Sequence, residues 1–171
     1  GSGMVCHTIN PKLFPEQVAY IINHAEDKIL FVDVLVMPLL EALKEHLSKV
    51  ETVVVLTTKE NMPETTLTNV VCYEELLAAQ SDVYDWPQFD ENTASGMCYT
   101  SGTTGNPKGV VYSHRSTVLH ALAGALPDVT RASNMETSLP VVPMFHVNAW
   151  GAPYAALMVG MKLVLPGPKM A

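Results

Sequence analysis

The sequence has no CxxC pair, no excess of basic residues, no apolar run long enough to cross a bilayer, and little charge of either sign. Each absence excludes something. Cys6, Cys72 and Cys98 are an odd number and far apart, so a disulfide-stapled framework is ruled out. They read as buried, reduced thiols of a cytoplasmic protein. The net charge of −7 argues against a nucleic-acid partner. The longest apolar run, 149–161, is interrupted by glycines and a proline. It is shorter than the ~20 residues a spanning helix needs, so it reads as a buried helix and no transmembrane segment is expected. No signal peptide or internal repeat is visible. What remains is apolar: 48% of the 171 residues are hydrophobic and 16% charged, which suits a sizeable core and not a disordered chain.

Acids are also missing from one long stretch. Between 92 and 127 there is no Asp or Glu, while Lys108 and Arg115 are present. Fifteen of the 17 acids lie at or before Glu91, and the ten Lys and Arg divide five and five about that point. Five bases against fifteen acids leave the first part at −10, and five against two leave the rest at +3. A polyanion would find the second part more hospitable.

At the centre of the acid-free stretch lies YTSGTTGNPKGVVY, residues 99–112. Gly102 and Gly105 allow tight turning and expose backbone N–H groups, which together make an anion site. The hydroxyls of Thr100, Ser101, Thr103 and Thr104 can donate to phosphate oxygens or sit on a metal ion. Lys108 adds a positive point charge. Alone, a Gly/Ser/Thr cluster also reads as a flexible surface loop. A Walker loop requires Lys and Ser/Thr directly after its second glycine. Here Asn106 and Pro107 intervene and Gly109 follows the lysine, which disfavours that motif.

The remainder reads as α/β with a mainly parallel sheet flanked by helices. Pro15 opens a helix over 15–26 with an apolar face of Phe14, Val18, Ile21, Ile22 and Ala25. A buried strand over 29–34 follows, then a helix from Pro38 with Leu39, Leu40, Leu43 and Leu47 inward, then a strand over 52–56. Strand, helix, strand at this spacing is a βαβ unit, placed within 1–95. A short helix is expected over 73–80 and a polar linker over 81–95, where Asp90 and Glu91 read as solvated residues and not metal ligands. A strand over 97–100 delivers the glycine-rich loop, 108–112 returns as a hairpin arm, and Ser113 caps a helix running to about Leu126, completing a 96–126 segment. Val118, Leu119, Leu122 and Ala125 form that helix's expected core face, with His114 and Arg115 supporting the loop. His114 and His120 are six apart and share no face, so a zinc pair is not expected. His7, His24 and His46 lack ligand spacing. The last segment, 138–166, reads as an apolar strand, a polar break at His146, Asn148 and Trp150, a small-residue helix, and a strand over 163–165. On its own His146 reads as a core histidine, and Trp150 as a core tryptophan or as a bulky residue beside Gly151 and Ala152, able to block an apolar tunnel.

Residues 100–110 resemble the phosphate-binding signature of the adenylate-forming (AMP-binding) superfamily, Thr/Ser-Ser-Gly-Thr/Ser-Thr-Gly-x-Pro-Lys-Gly-Val. Pro143, Met144, Phe145 and His146 resemble its Pro-x-Phe-His segment. The continuation Val147–Gly151 is most similar to bacterial medium- and long-chain fatty-acyl-CoA synthetases. The resemblance implies that Thr100, Ser101, Gly102, Thr103, Thr104, Gly105 and Lys108 hold the β- and γ-phosphates of ATP, and that Thr100 touches Mg²⁺. It implies that His146 lines the acid pocket and that Trp150 borders the acyl tunnel as a gate. It further implies a ligase in which a fatty acid and ATP give an acyl-adenylate that coenzyme A then receives, and it leaves a homodimer open.

The similarity runs from Asn10 to Pro166 and covers about a third of a typical family member's length. The family's aromatic-Gly-x-Thr-Glu motif, ribose-binding aspartate, hinge and C-terminal-domain lysine are absent from this sequence. The chain is therefore expected to be an interior piece of the large N-terminal domain, without the C-terminal domain, and inactive alone. Gly1–Gly3 fit either an added leader before Met4 or native sequence. Two other classes stay open: a nucleotide-binding module without ligase activity, and another adenylating enzyme such as an aryl-CoA ligase, a methylmercaptopropionate-CoA ligase or a peptide-synthetase adenylation domain.

Overall fold

The computed structural model describes residues 2–100, 105–165 and 167. In chain order the elements are β1 (Cys6–Thr8), α1 (Pro15–Ala25), β2 (Ile29–Val32), α2 (Met37–Leu43), β3 (Thr52–Val55), β4 (Val70–Cys72) and α3 (Tyr73–Ala78). Then come β5 (Ala94–Thr100), β6 (Lys108–Ser113), α4 (His114–Gly124), β7 (Thr137–Ser138), α5 (Ala152–Val159) and β8 (Lys162–Leu163). The chain divides into two compact units, Asn10–Asp85 and the combination of Gly1–Ile9 with Trp86–Ala171.

The unit Asn10–Asp85 is the expected βαβ arrangement. Its sheet has the order β2-β3-β4, all parallel, with Leu30 opposite Val53 and Val54 opposite Val71. Val53, Val54 and Val55 are buried, as β-branched residues on a covered sheet should be. Helix α1 starts on Pro15, places Glu16 in its first turn and ends with Glu26 in the left-handed region at φ 59°. Its buried face is Val18, Ala19, Ile21 and Ile22. Each large side chain there contributes about 2 kcal/mol by leaving water. Phe14 is exposed, not part of that face, because it is the cap residue with extended ψ 142° and stands off the helical period. Strand β2 stops at Val32 and not at Val34, because the Asp33 carboxylate accepts from Leu35 N at 2.8 Å and caps a short 3₁₀ turn. That turn starts α2 one residue earlier than Pro38, so Met37 is buried and Leu39 is only half-buried beside Leu40 and Leu43.

One carboxylate ties α2 to the loop before β4. Glu41 accepts from Thr65 Oγ1, from Thr66 N at 2.7 Å and from Thr66 Oγ1 at 2.7 Å. Those donors, Thr65 first, lower its pKa from 4.5 to about 2. A carboxylate depressed by folding stabilises above its unfolded pKa and loses that contribution as pH falls through the folded value. The unit should therefore lose thermal stability between pH 4.5 and about 2, and Glu41→Gln should flatten that part of the profile. Thermal melts of both proteins across the window check this; a profile unchanged by the substitution contradicts it.

The second unit has the sheet order β1-β5-β6. β1 runs parallel to β5, with Thr8 opposite Cys98, and β5 and β6 form an antiparallel hairpin. A short parallel pair, β7 with β8, accompanies it. Among the described residues, four of the five strand pairings are parallel, as expected. Ser113 caps α4 by accepting from Ser116 N at 3.1 Å. The expected core face of α4 is not formed: Ala121 is buried, whereas Val118, Leu119 and Leu122 are exposed. The helix lies against β5, β6 and α5, and the one residue it buries is alanine, which close approach favours over leucine. Likewise 139–143 is not a strand. Pro140 and Pro143 lack the N–H a ladder needs, and the pairing is confined to Thr137–Ser138. Cys72 and Cys98 are buried free thiols, but Cys6 is exposed, contrary to expectation.

Candidate functional site

The glycine-rich loop hangs from the β5–β6 hairpin. The register sets Thr100 opposite Lys108, Tyr99 opposite Gly109 and Cys98 opposite Val110. Thr100 and Lys108 are both exposed at the mouth, and the Thr100 hydroxyl reaches Lys108 O at 3.5 Å. Ser101, Gly102, Thr103 and Thr104 lie outside the described residues. Gly105 has φ 91° with open space where a Cβ would be, so conformation and not crowding calls for glycine there. Gly109 is the reverse case. A Cβ on it would lie 3.1 Å from Tyr99 Cζ and 3.2 Å from Met97 Sδ, so its bare Cα lets the Tyr99 ring lie across the hairpin. The His7 ring meets Tyr99 with centroids 5.2 Å apart.

Among the described residues, His114 and Arg115 contact the approach to β5. Arg115 pairs with Glu91 at 2.5 Å and donates its N–H to Glu91 O at 2.8 Å, while the His114 ring lies 4.8 Å from that of Phe89. Both secure the segment that enters β5. Asp90 accepts from Asn92 N at 2.7 Å in the same approach. Among the described residues no three His, Cys, Asp or Glu side chains form a metal-binding group.

The second stretch takes a form that periodicity does not anticipate. Val147, Asn148, Ala149, Trp150 and Gly151 have φ of 49°, 49°, 51°, 57° and 71°, a run of left-handed backbone. Such a turn costs roughly 1–2 kcal/mol for each non-glycine residue, and β-branched Val147 is the least suited of them. Backbone bonds close it: Ala149 N donates to His146 O and Gly151 N to Asn148 O, each at 3.0 Å. Gly151 is required twice over, since it has φ 71° and a Cβ would meet His120 Nδ1 at 2.8 Å. His146 is exposed, and Trp150 is 66% exposed. Neither belongs to a core.

Of the side chains that hold this turn, the sequence marked Asn148 only as part of a polar break and gave Thr8 no role. Asn148 Oδ1 accepts from Thr8 Oγ1 and from Cys98 Sγ, both at 3.3 Å. Thr8 Oγ1 also lies 3.0 Å from Met144 O, on the approach to the turn. Thr8 is on β1, and Cys98 is two residues from Thr100 on β5, so both candidate stretches are fastened to one strand. Burial raises the pKa of Tyr154 on α5, with the nearby Cys6 and Cys98 adding to it, and the phenol stays neutral. The one available signal for this network was Asn148 itself, a residue type that tolerates left-handed backbone, close before a glycine.

A family model described as AMP-binding enzyme matches residues 1–171. The medium-chain-fatty-acid–CoA ligase of Ectopseudomonas oleovorans is 55% identical over 170 residues, covering 99% of this chain and 31% of that protein. The 3-methylmercaptopropionyl-CoA ligase of Ruegeria lacuscaerulensis is 52% identical, with 99% and 32% covered. Among solved structures, an anthranilate CoA ligase in complex with anthranoyl-AMP matches with a TM-score of 0.80 at 22% identity, over 95% of this chain and 30% of that one. That likeness concerns the fold alone. The chain spans about a third of the length of these relatives.

Proposed function

The chain belongs to the AMP-binding enzyme family, and on that premise we propose that the whole protein is a fatty-acid–CoA ligase to which this chain contributes the triphosphate loop and part of the acid pocket. The observation carrying the reading is the hairpin mouth, where Thr100 and Lys108 face each other at the two ends of the glycine-rich loop. In the first step a carboxylate oxygen attacks the α-phosphorus of ATP, and the bond to the bridging oxygen breaks, releasing pyrophosphate. In the second, the coenzyme A thiol loses its proton, its sulfur bonds to the acyl carbon, and AMP leaves. The chain's part is to position the triphosphate and to offset the charge growing on pyrophosphate through Lys108 and the loop N–H groups.

Thr100 is the residue that would meet Mg²⁺: its exposed hydroxyl is an oxygen ligand suited to a hard cation that keeps most of its waters. When bound, the ion would neutralise phosphate charge, and Thr100 would hold it. His146, exposed just before the left-handed turn, and Trp150, exposed on it, would meet the acid. Cytoplasmic placement belongs to the same proposal, supported by the free buried thiols of Cys72 and Cys98. No helix among the described residues is long and apolar enough to cross a membrane.

The test is acid-dependent exchange of labelled pyrophosphate into ATP by the full-length protein. Exchange with medium or long fatty acids is the expected result. ATP binding without acid-dependent exchange would instead identify a nucleotide-binding module. Preference for a short thioether acid would favour the second reading, to which the 52% identical relative lends weight. The 171-residue chain alone should give background turnover, because its sequence contains no aromatic-Gly-x-Thr-Glu motif; a coupled assay with ATP, Mg²⁺, coenzyme A and fatty acids checks this.

A further inference from the structure

We propose that Asn148 is a positioning residue for the acid substrate, pinning the left-handed turn through Thr8 and Cys98 so that His146 and Trp150 stand where the acid binds. The inference rests on the ligase reading above. Four consecutive non-glycine residues with positive φ do not hold themselves in place, and such backbone persists only where its surroundings over-determine it. Here the surroundings can be named. Asn148 Oδ1 receives the Thr8 hydroxyl and the Cys98 thiol. Thr8 Oγ1 has a single proton, so it serves Asn148 Oδ1 or Met144 O in turn and holds the start and the middle of the segment to one atom. The Asn148 amide also packs beside Gly96, whose Cβ position lies 3.5 Å from Asn148 Nδ2, an ordinary contact. At the far end Gly151 settles against His120.

A plainer role for Asn148 is that of a residue merely tolerant of positive φ. The two roles separate by substitution. Asn148→Gly keeps the backbone freedom and removes the acceptor. Thr8→Ala leaves the turn sequence untouched and removes one donor, while Thr8→Ser restores that hydroxyl.

In the full-length protein Asn148→Gly should raise the KM for fatty acid roughly tenfold, the worth of two lost hydrogen bonds, with the KM for ATP unchanged. Thr8→Ala should shift it in the same direction, Thr8→Ser should restore it, and Thr8→Ala combined with Asn148→Gly should add little to Asn148→Gly alone. A second readout does not depend on catalysis. In the full-length protein, with every tryptophan but Trp150 replaced by Phe, the fluorescence anisotropy of Trp150 reports the turn, and Asn148→Gly should lower it. An unchanged acid KM in an active Asn148→Gly enzyme overturns the proposal, as does a parallel loss for acid and ATP with unaltered anisotropy. A wild-type protein without acid-dependent exchange sinks the ligase reading instead, so the two failures are told apart.

Discussion

Lys108→Ala in the full-length protein should slow acyl-adenylate formation by roughly 10²–10³-fold, the usual cost of deleting one preorganised charge-stabilising donor. Thioester formation from chemically prepared acyl-adenylate should be spared. The asymmetry follows from placement. Lys108 is the first residue of β6, exposed at the hairpin mouth across from Thr100, and pyrophosphate has departed before the thiol attacks. Folding should be little affected, because the side chain reaches solvent and the strand pairs through its backbone. Single-turnover kinetics of each half-reaction test this. Equal impairment of both would mean that Lys108 does not act on the pyrophosphate.

Trp150→Ala should alter the dependence of rate on acid length by roughly ten- to a hundredfold between the best and worst acids, the discrimination that apolar pocket contacts deliver. Stability should fall little. A core tryptophan truncated to alanine costs about 3–5 kcal/mol, but this side chain is 66% exposed on a turn held by other residues. Melting temperature measured beside kcat/KM for a series of acids separates the alternatives. A large drop in melting temperature with an unchanged length profile would leave His146 as the only acid-pocket residue of this stretch.

The hairpin was legible because its signals agree: a strand pattern before Thr100, a glycine-rich connection, an alternating arm after Lys108 and a serine cap at Ser113. The βαβ unit was legible for a similar reason, with Pro15 and the apolar period of α1 pointing to the same helix. Two things were not. On α4 the leucines mark an apolar stripe, but a stripe does not say which neighbour covers it, and the covered position is Ala121. From 139 to the polar break at His146 the hydrophobic pattern resembles a strand, yet Pro140 and Pro143 remove donors, and the residues from Val147 wind left-handed, a geometry with no sequence period. The contacts that hold it come from Thr8 and Cys98, and hydrogen bonds 140 and 50 residues apart in sequence leave no local trace.

Strand β2 lies at one edge of its sheet, with Ile29 and Phe31 exposed on one face and Phe31 showing 58% of its surface. A short, β-prone, apolar edge of this kind is a template for pairing with a second copy. The chain carries its own gatekeepers at the two ends: Lys28, paired with Glu51 at 2.9 Å, and Asp33. Self-association in concentrated preparations should therefore depend on charge at those two positions, and high salt, which screens it, should favour aggregation.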